Sequence, residues 1–491
     1  MPIIPDVAAA LQHVFGTLAH QLGRETGFVQ RASKCGGAQF VQTLVFSYLA
    51  NPHATLHELS QTAAALDLDI TPEGLTQRFT PAAAQLLERV VAASVTQLLA
   101  ADPLAIPLLQ RFAGVYLEDS TVVALPPALA AHWPGCGNAS TRHTAALKLN
   151  LRVNLSTGEF AGCTLHAGRV HDRTAAQPIT TLPPRSLLLA DLGYFNLVRL
   201  GQIAAQDAYF LSRLQANTVV FDAAGRRWTD LAALLERQDA ATDLPVQIGA
   251  TERLPVRLLS VRVPHEVADQ RRRKLRAAAR KKGQAVSARR LALAAWTIYV
   301  TNVPADVLPL SAALVVARAR WQIELLFKLW KSHGRIDESR SRNPWRVLCD
   351  VYAKLLAMIV QQWVWLVSVW AYPDRSLGKA AQTVQKYAMQ LAQDMGNPSR
   401  LVITITTIAR CLAKGCRMNR RKQQPNTYQL LVAVTEHALA SCAWGFPPTP
   451  PTHGNARLVQ LGRHQATSCQ ALRRLAMHRV AHHSAAIRRA S

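Results

Sequence analysis

Pro183-Pro184-Arg185-Ser186-Leu187-Leu188-Leu189-Ala190-Asp191-Leu192-Gly193-Tyr194 reads as one buried strand with an acid at its exit. Two prolines interrupt what precedes, and a short apolar run bounded by turn residues suits a central strand covered on both faces. Asp191 stands at the C-terminal end of that run, where open α/β sheets place their chemistry. An α/β domain with Asp191 at its site is therefore expected.

Upstream, residues 114–125, 147–155 and 159–165 read as consecutive strands, with Thr157-Gly158 as a tight turn between the last two. The first contains Tyr116-Leu117-Glu118-Asp119-Ser120-Thr121. Asp119 falls inside that strand or at a break in it. Strand alternation groups Asp119 with Val115 and Leu117, and its neighbour Glu118 is the alternative ligand. Downstream, residues 312–332 read as one amphipathic helix. On it Arg320, Glu324 and Lys331 share a stripe, with Ile323, Leu325, Phe327, Leu329 and Trp330 on the flanks. Carboxylates near a core are costly unless paired or metal-bound. Two Asp and a Glu from separate elements are suited to holding two Mg²⁺ ions for phosphoryl transfer.

The charge names the polyanion. Lys and Arg number 56 against 30 Asp and Glu, a net charge of +26, which favours nucleic acid or an acidic membrane. The most apolar stretch, 355–370, is short and has Gln361 and Gln362 at its middle, so it reads as a core helix. Double-stranded DNA is the expected partner, with no membrane and a cytoplasmic, nucleoid-associated location. The eight Cys follow no paired pattern. A zinc site at Cys411 and Cys416 lacks a matching second pair, which leaves reduced thiols as the simpler reading.

Around this centre the chain divides. Residues 1–100 look all-helical, with a capping box at Thr55 and Glu58 and a second helix opened by Thr71-Pro72. The pair is either a helix-turn-helix, with Arg78 reaching DNA, or an ordinary bundle corner. Residues 198–305 read as a β-rich insertion. A basic run starting Arg271-Arg272-Arg273-Lys274 divides it and is dense enough for backbone contact with DNA. Residues 376–491 look helical and increasingly basic, with Arg417, Arg420, Arg421 and Lys422 clustered and no acid after His437.

Taken together, Asp119-Ser120-Thr121, Asp191-Leu192-Gly193-Tyr194 and Arg320-x3-Glu324-x6-Lys331 resemble the acidic sites and Tyr-Arg-Glu-Lys motif of family-4 insertion-sequence transposases, cut-and-paste DDE enzymes of bacterial mobile elements. The likeness covers roughly residues 110–365. It implies an RNase H-like catalytic domain at 101–375, flanked by an all-α N-terminal region and a mainly α C-terminal region for dimerisation or DNA contact. It implies that Asp119, Asp191 and Glu324 bind two Mg²⁺ ions, with Mn²⁺ able to substitute. Arg320 and Lys331 would hold phosphates near the cleaved bond, and a homodimer would form the synapse. It also implies that Trp296, in the strand before the Glu, stacks on a flipped base during hairpin chemistry. One departure stands out: the motif Tyr is replaced by Ala317. A DNA-binding protein of the same fold that has lost or changed its activity is the competing reading. Ala317 favours it and the three intact acids oppose it.

Overall fold

The computed structural model describes residues 3–432 apart from 32–34, 98, 137–143, 371, 373 and 419–426. The basic positions Arg420, Arg421 and Lys422, and the acid-free C-terminal stretch, lie outside the described residues.

A ten-stranded mixed sheet runs through the centre. Its strands are β1 (Val115–Leu125), β2 (Ala145–Asn154), β3 (Phe160–Ala167), β4 (Leu187–Ala190), β5 (Tyr209–Arg213), β6 (Val220–Asp222), β7 (Arg227–Trp228), β8 (Ala241–Ile248), β9 (Leu254–Arg262) and β10 (Trp296–Thr301). Their order is β3-β2-β1-β4-β5-β10-β9-β8-β6-β7. Half of the sheet, β3 to β5, is built as the sequence suggests. β1, β4 and β5 are parallel, and β2 is antiparallel between β1 and β3. The β2–β3 turn needs Gly158, which has φ +74°; an added Cβ there would sit 2.5 Å from the Trp370 ring. β4 is the buried strand expected from its leucines, covered by β1 on one edge and β5 on the other.

The other half, β6 to β10, falls within the 198–305 region read as an insertion, which also contains β5. β10 pairs antiparallel with β5, so the insertion lengthens the same sheet instead of forming a separate one. Between β9 and β10 the basic run forms the His265–Arg280 helix. Residues 291–295, in the stretch 291–303 whose apolar run suggests a strand, are helical, and β10 begins only at Trp296.

Helices complete the molecule. The expected 312–332 helix is two, Leu310–Ala319 and Trp321–Ser332, broken at Arg320. Arg320 keeps helical φ and ψ, so the chain changes hydrogen-bond pattern there without changing hand. The Pro344–Leu366 helix is long and apolar enough to cross a membrane, but its apolar window is wholly buried inside the protein. The N-terminal helices Gly37–Ala50 and Pro81–Ser94 pack on it, which explains its apolar character without a membrane. Helix Ile3–Gln12 packs on helix Pro398–Gly415, and Gln12 Nε2 donates to the Met395 carbonyl at 2.9 Å. The capping box is present: Thr55 N–H donates to the Glu58 carboxylate, and Glu58 N–H donates to Thr55 Oγ1.

Candidate active site

The register of the sheet brings the first two acids together. β1 and β4 run parallel with Leu117 level with Leu189 and Glu118 level with Ala190. One residue further, Asp119 and Asp191 are level, and matched residues of a parallel pair point to the same face. β1 is unbroken at Asp119, so this acid lies inside the strand. Asp191 keeps extended backbone angles and immediately precedes a single turn, Leu192–Tyr194, with its side chain making no capping bond. Glu324 reaches the same place from the first turn of the Trp321–Ser332 helix, which packs against β1.

A single guanidinium joins all three. Arg320 Nη1 lies 3.5 Å from Asp119 Oδ2, and its Nη2 lies 3.8 Å from Asp191 Oδ1 and within hydrogen-bonding distance of Glu324 Oε1. The carboxylates close around Arg320. Among the described residues, no three His, Cys, Asp or Glu side chains stand together so as to hold one metal ion. Side-chain exposure is 16% for Asp119 and 49% for Asp191, so the site opens to solvent on the Asp191 side.

These surroundings shift proton affinities. Burial raises the Asp119 pKa from the usual 3.8 to about 7; Arg320 opposes the rise and Asp191 adds to it. Burial also raises Glu324, again against the pull of Arg320. For Arg320 itself burial lowers the pKa, but Asp191, Glu324 and Asp119 together outweigh it, so the guanidinium stays charged.

Glu118, the alternative acid, faces away from this cluster. It is fully buried on the opposite face, where it accepts from Arg152 Nε at 3.1 Å, Arg152 Nη2 at 2.8 Å, Arg199 Nη2 at 3.0 Å and the Gln177 N–H at 2.7 Å. Lys331 lies over β1, where its half-buried ammonium donates to the Val122 carbonyl at 3.1 Å.

The remaining candidates lie elsewhere. Trp296 is 3% exposed and packs in a core cluster with Leu258, Ile298 and Val300, to which Tyr116 of β1 and Leu188 of β4 also belong, so it presents no open ring face for a base. The basic run divides by helical phase. Arg271 donates to the Trp296 carbonyl and Thr297 Oγ1, and Arg272 to Asp269 and the Leu291 carbonyl. Both therefore fasten the helix to its neighbours, whereas Arg273 and Lys274 are exposed. Arg78 is half-buried at the C-terminal end of the six-residue Pro72–Gln77 helix, about two turns from its Thr71 cap. Ala317 is half-buried one turn before Arg320. Cys416 is buried, and Cys411 Sγ faces the Tyr387 hydroxyl at 3.3 Å; neither takes part in a metal cluster among the described residues.

One further cation escapes a reading of the sequence. β4 and β5 are parallel with Leu189 level with Leu211, which puts exposed Arg213 level with Asp191 and opposite Tyr299 of β10. Arg213 also helps to lower the pKa of Arg271, after burial, to about 10. Only the strand register reveals it, because nothing around Arg213 is distinctive in sequence.

Comparison with known proteins then identifies the domain. Residues 110–360, just over half of the chain, match the Transposase DDE domain family. The chain belongs to this family of DDE transposases. Among its relatives is the transposase for insertion sequence element IS231C of Bacillus thuringiensis subsp. berliner, 30% identical over 71% of this chain and 77% of the relative. Another, the transposase for insertion sequence element IS231F of Bacillus thuringiensis subsp. israelensis, is 25% identical over 88% of this chain and 96% of the relative. The transposase for insertion sequence element IS1151 of Clostridium perfringens is 23% identical over 70% and 76%. A DDE transposase cleaves DNA and transfers strands, its domain is RNase H-like, and such domains use divalent metal ions. The large mixed sheet with its flanking helices is consistent with that fold.

Proposed function

We propose that this transposase cuts its element out by hydrolysis at the terminal inverted repeats and joins the freed 3′-hydroxyl to target DNA, with Asp119, Asp191 and Glu324 as its catalytic acids. The observation that carries the reading is the meeting of three acids from three separate elements on one guanidinium. The donor set consists entirely of carboxylate oxygens, which suits hard ions such as Mg²⁺ and also Mn²⁺. The position of Arg320 marks where positive charge is favourable. Two Mg²⁺ ions bound by these acids would make water a stronger nucleophile and stabilise the attacking and leaving oxygens.

The chain's own residues do the rest. Arg320 supplies a fixed positive charge that exchanges its carboxylate partners for a phosphate when a strand enters. Arg213, exposed and level with Asp191, extends that charge along the face of the sheet. Lys331 fixes the Glu324 helix to β1 through the Val122 carbonyl, which sets the reach of Glu324. Membership of the family-4 group, the cut-and-paste route, a homodimeric synapse, DNA contact by residues 1–100 with Arg78, and a nucleoid location belong to the same proposal. They rest on the motif resemblance and the +26 charge.

The test is Mg²⁺-dependent cleavage of a duplex carrying the inverted repeats that flank the gene, for wild type and Glu324→Gln. Cleavage at the repeat end by wild type alone supports the proposal. Equal cleavage by both would remove Glu324 from the chemistry. Tight, salt-sensitive binding without cleavage by either would favour the binding-only reading, for which Ala317 in place of the motif Tyr is the supporting observation.

A further inference from the structure

The two residues that flank Asp119 on β1 point away from the site, and one short segment holds both. Ser120 Oγ donates to Asp172 Oδ1 at 2.9 Å, and Glu118 accepts the Gln177 N–H at 2.7 Å. The same segment touches the turn that carries Asp191. A Cβ on Gly193 would lie 2.7 Å from Asp172 Oδ2, closer than real side chains approach. The next residue, Tyr194, is buried and donates its hydroxyl to Asn150 Oδ1 at 3.1 Å, and Asn150 Nδ2 in turn bonds the Ala175 carbonyl. Lys148 neutralises Asp172 at 2.9 Å and also reaches the Val170 carbonyl. Beneath the two catalytic aspartates the face of the sheet is therefore polar. Glu118 and Ser120 on β1 and Lys148, Asn150 and Arg152 on β2 are all bonded to residues 170–181.

We infer that residues 172–177 are a brace that fixes the spacing of Asp119 and Asp191, and that Asp172 is its positioning residue. The Asp172 carboxylate meets both the strand bearing Asp119 and the turn bearing Asp191. This rests on the proposed role of those two aspartates as metal ligands. Mg²⁺ requires a near-ideal octahedron of short bonds, whereas Ca²⁺ accepts more ligands in looser geometry. A brace that sets ligand spacing therefore matters more to Mg²⁺ than to Ca²⁺. Outer partners of metal ligands, when removed, typically cost about 10–100-fold in metal affinity.

The experiment compares wild type, Asp172→Ala and Ser120→Ala in full-length protein. Mg²⁺ and Ca²⁺ are titrated separately by calorimetry, and amide hydrogen exchange is followed in metal-free protein. Asp172→Ala is expected to weaken Mg²⁺ about 10–100-fold and Ca²⁺ clearly less, and to speed exchange at Tyr194 and Phe195, whose N–H groups bond the Asp191 and Leu192 carbonyls. Ser120→Ala, which leaves Lys148 and Asp172 paired, should move each readout in the same direction by less. Unchanged exchange in the turn with unchanged Mg²⁺ affinity overturns the brace. So does an equal loss of both ions accompanied by a fall in melting temperature, which would mark a general packing role. Faster exchange in the variant combined with no Mg²⁺ binding by wild type would support the brace and refute the metal reading.

Discussion

Asp119→Asn should stabilise the metal-free protein, and by an amount that depends on pH. Burial beside Asp191 lifts the Asp119 pKa from 3.8 to about 7, even with Arg320 pulling it down. Each tenfold change in proton affinity is worth about 1.4 kcal/mol, so ionising this carboxyl in the folded state costs up to about 4 kcal/mol. The sign follows from linkage: the folded pKa is above the unfolded one, so the folded state binds the proton more tightly. No cost exists below about pH 4; it grows between pH 4 and pH 7 and is complete above that. Asparagine removes it, keeps an oxygen for the Ser120 N–H, and leaves Arg320 paired with Glu324 and Asp191. The ion pair with Arg320 that asparagine gives up is long, at 3.5 Å, and offsets only part of the gain. Thermal melts in a chelating buffer at pH 5 and pH 8 should therefore show the variant's advantage widening by about 1–3 kcal/mol. Mg²⁺ should then narrow the gap by stabilising wild type alone. An advantage that is the same at both pH values would refute the burial that raises the proton affinity of Asp119.

Four further outcomes follow from the structure. Ala317→Tyr places a ring one turn before Arg320 at a half-buried position and should raise the cleavage rate; an unchanged rate in a single-turnover assay would show that the motif Tyr is not limiting here. Charge reversal at Arg273, Lys274 and Arg276 should weaken binding to all duplexes alike and flatten the salt dependence by about 0.9 for each phosphate no longer neutralised. Arg271→Ala should instead lower the melting temperature, because Arg271 is bonded to β10; the reverse pattern in salt titrations and melts would undo the division of that helix. Trp296→Ala removes a buried ring from its core cluster and should cost about 3–5 kcal/mol of stability, with nicking and hairpin formation lost together. A stable variant defective only in hairpin formation would show that Trp296 leaves the core to stack on a base.

What can be read in the sequence depends on how local the determining interactions are. Asp191 is legible because four apolar residues and an acid lie next to one another, and the strand they form is buried on both edges. Asp119 is preferred to Glu118 by alternation together with the Asp119-Ser120-Thr121 resemblance, and the buried Arg152 and half-buried Arg199 beneath Glu118 show what the other face holds. Arg213 and Asp172 are not legible. The first depends on the register of β4 against β5 and the second on a loop that crosses under β1 and β2, and neither leaves a periodic trace. The basic helix is an intermediate case. Ala268, Arg271, Arg272 and Leu275 recur at helical spacing, so helical phase alone separates the inward arginines from the outward ones. The break at Arg320 is hidden because both sides of it are amphipathic helix. Its position is nonetheless the key to the site. Three carboxylates near a core would repel one another, and a fixed guanidinium at the joint between two helices offsets that repulsion. On the proposed mechanism, the residue that stabilises the folded site is thus the one that surrenders its partners when a strand enters. For that reason Arg320→Ala should weaken the metal-free fold and DNA cleavage together, whereas Asp119→Asn should strengthen the first and abolish the second.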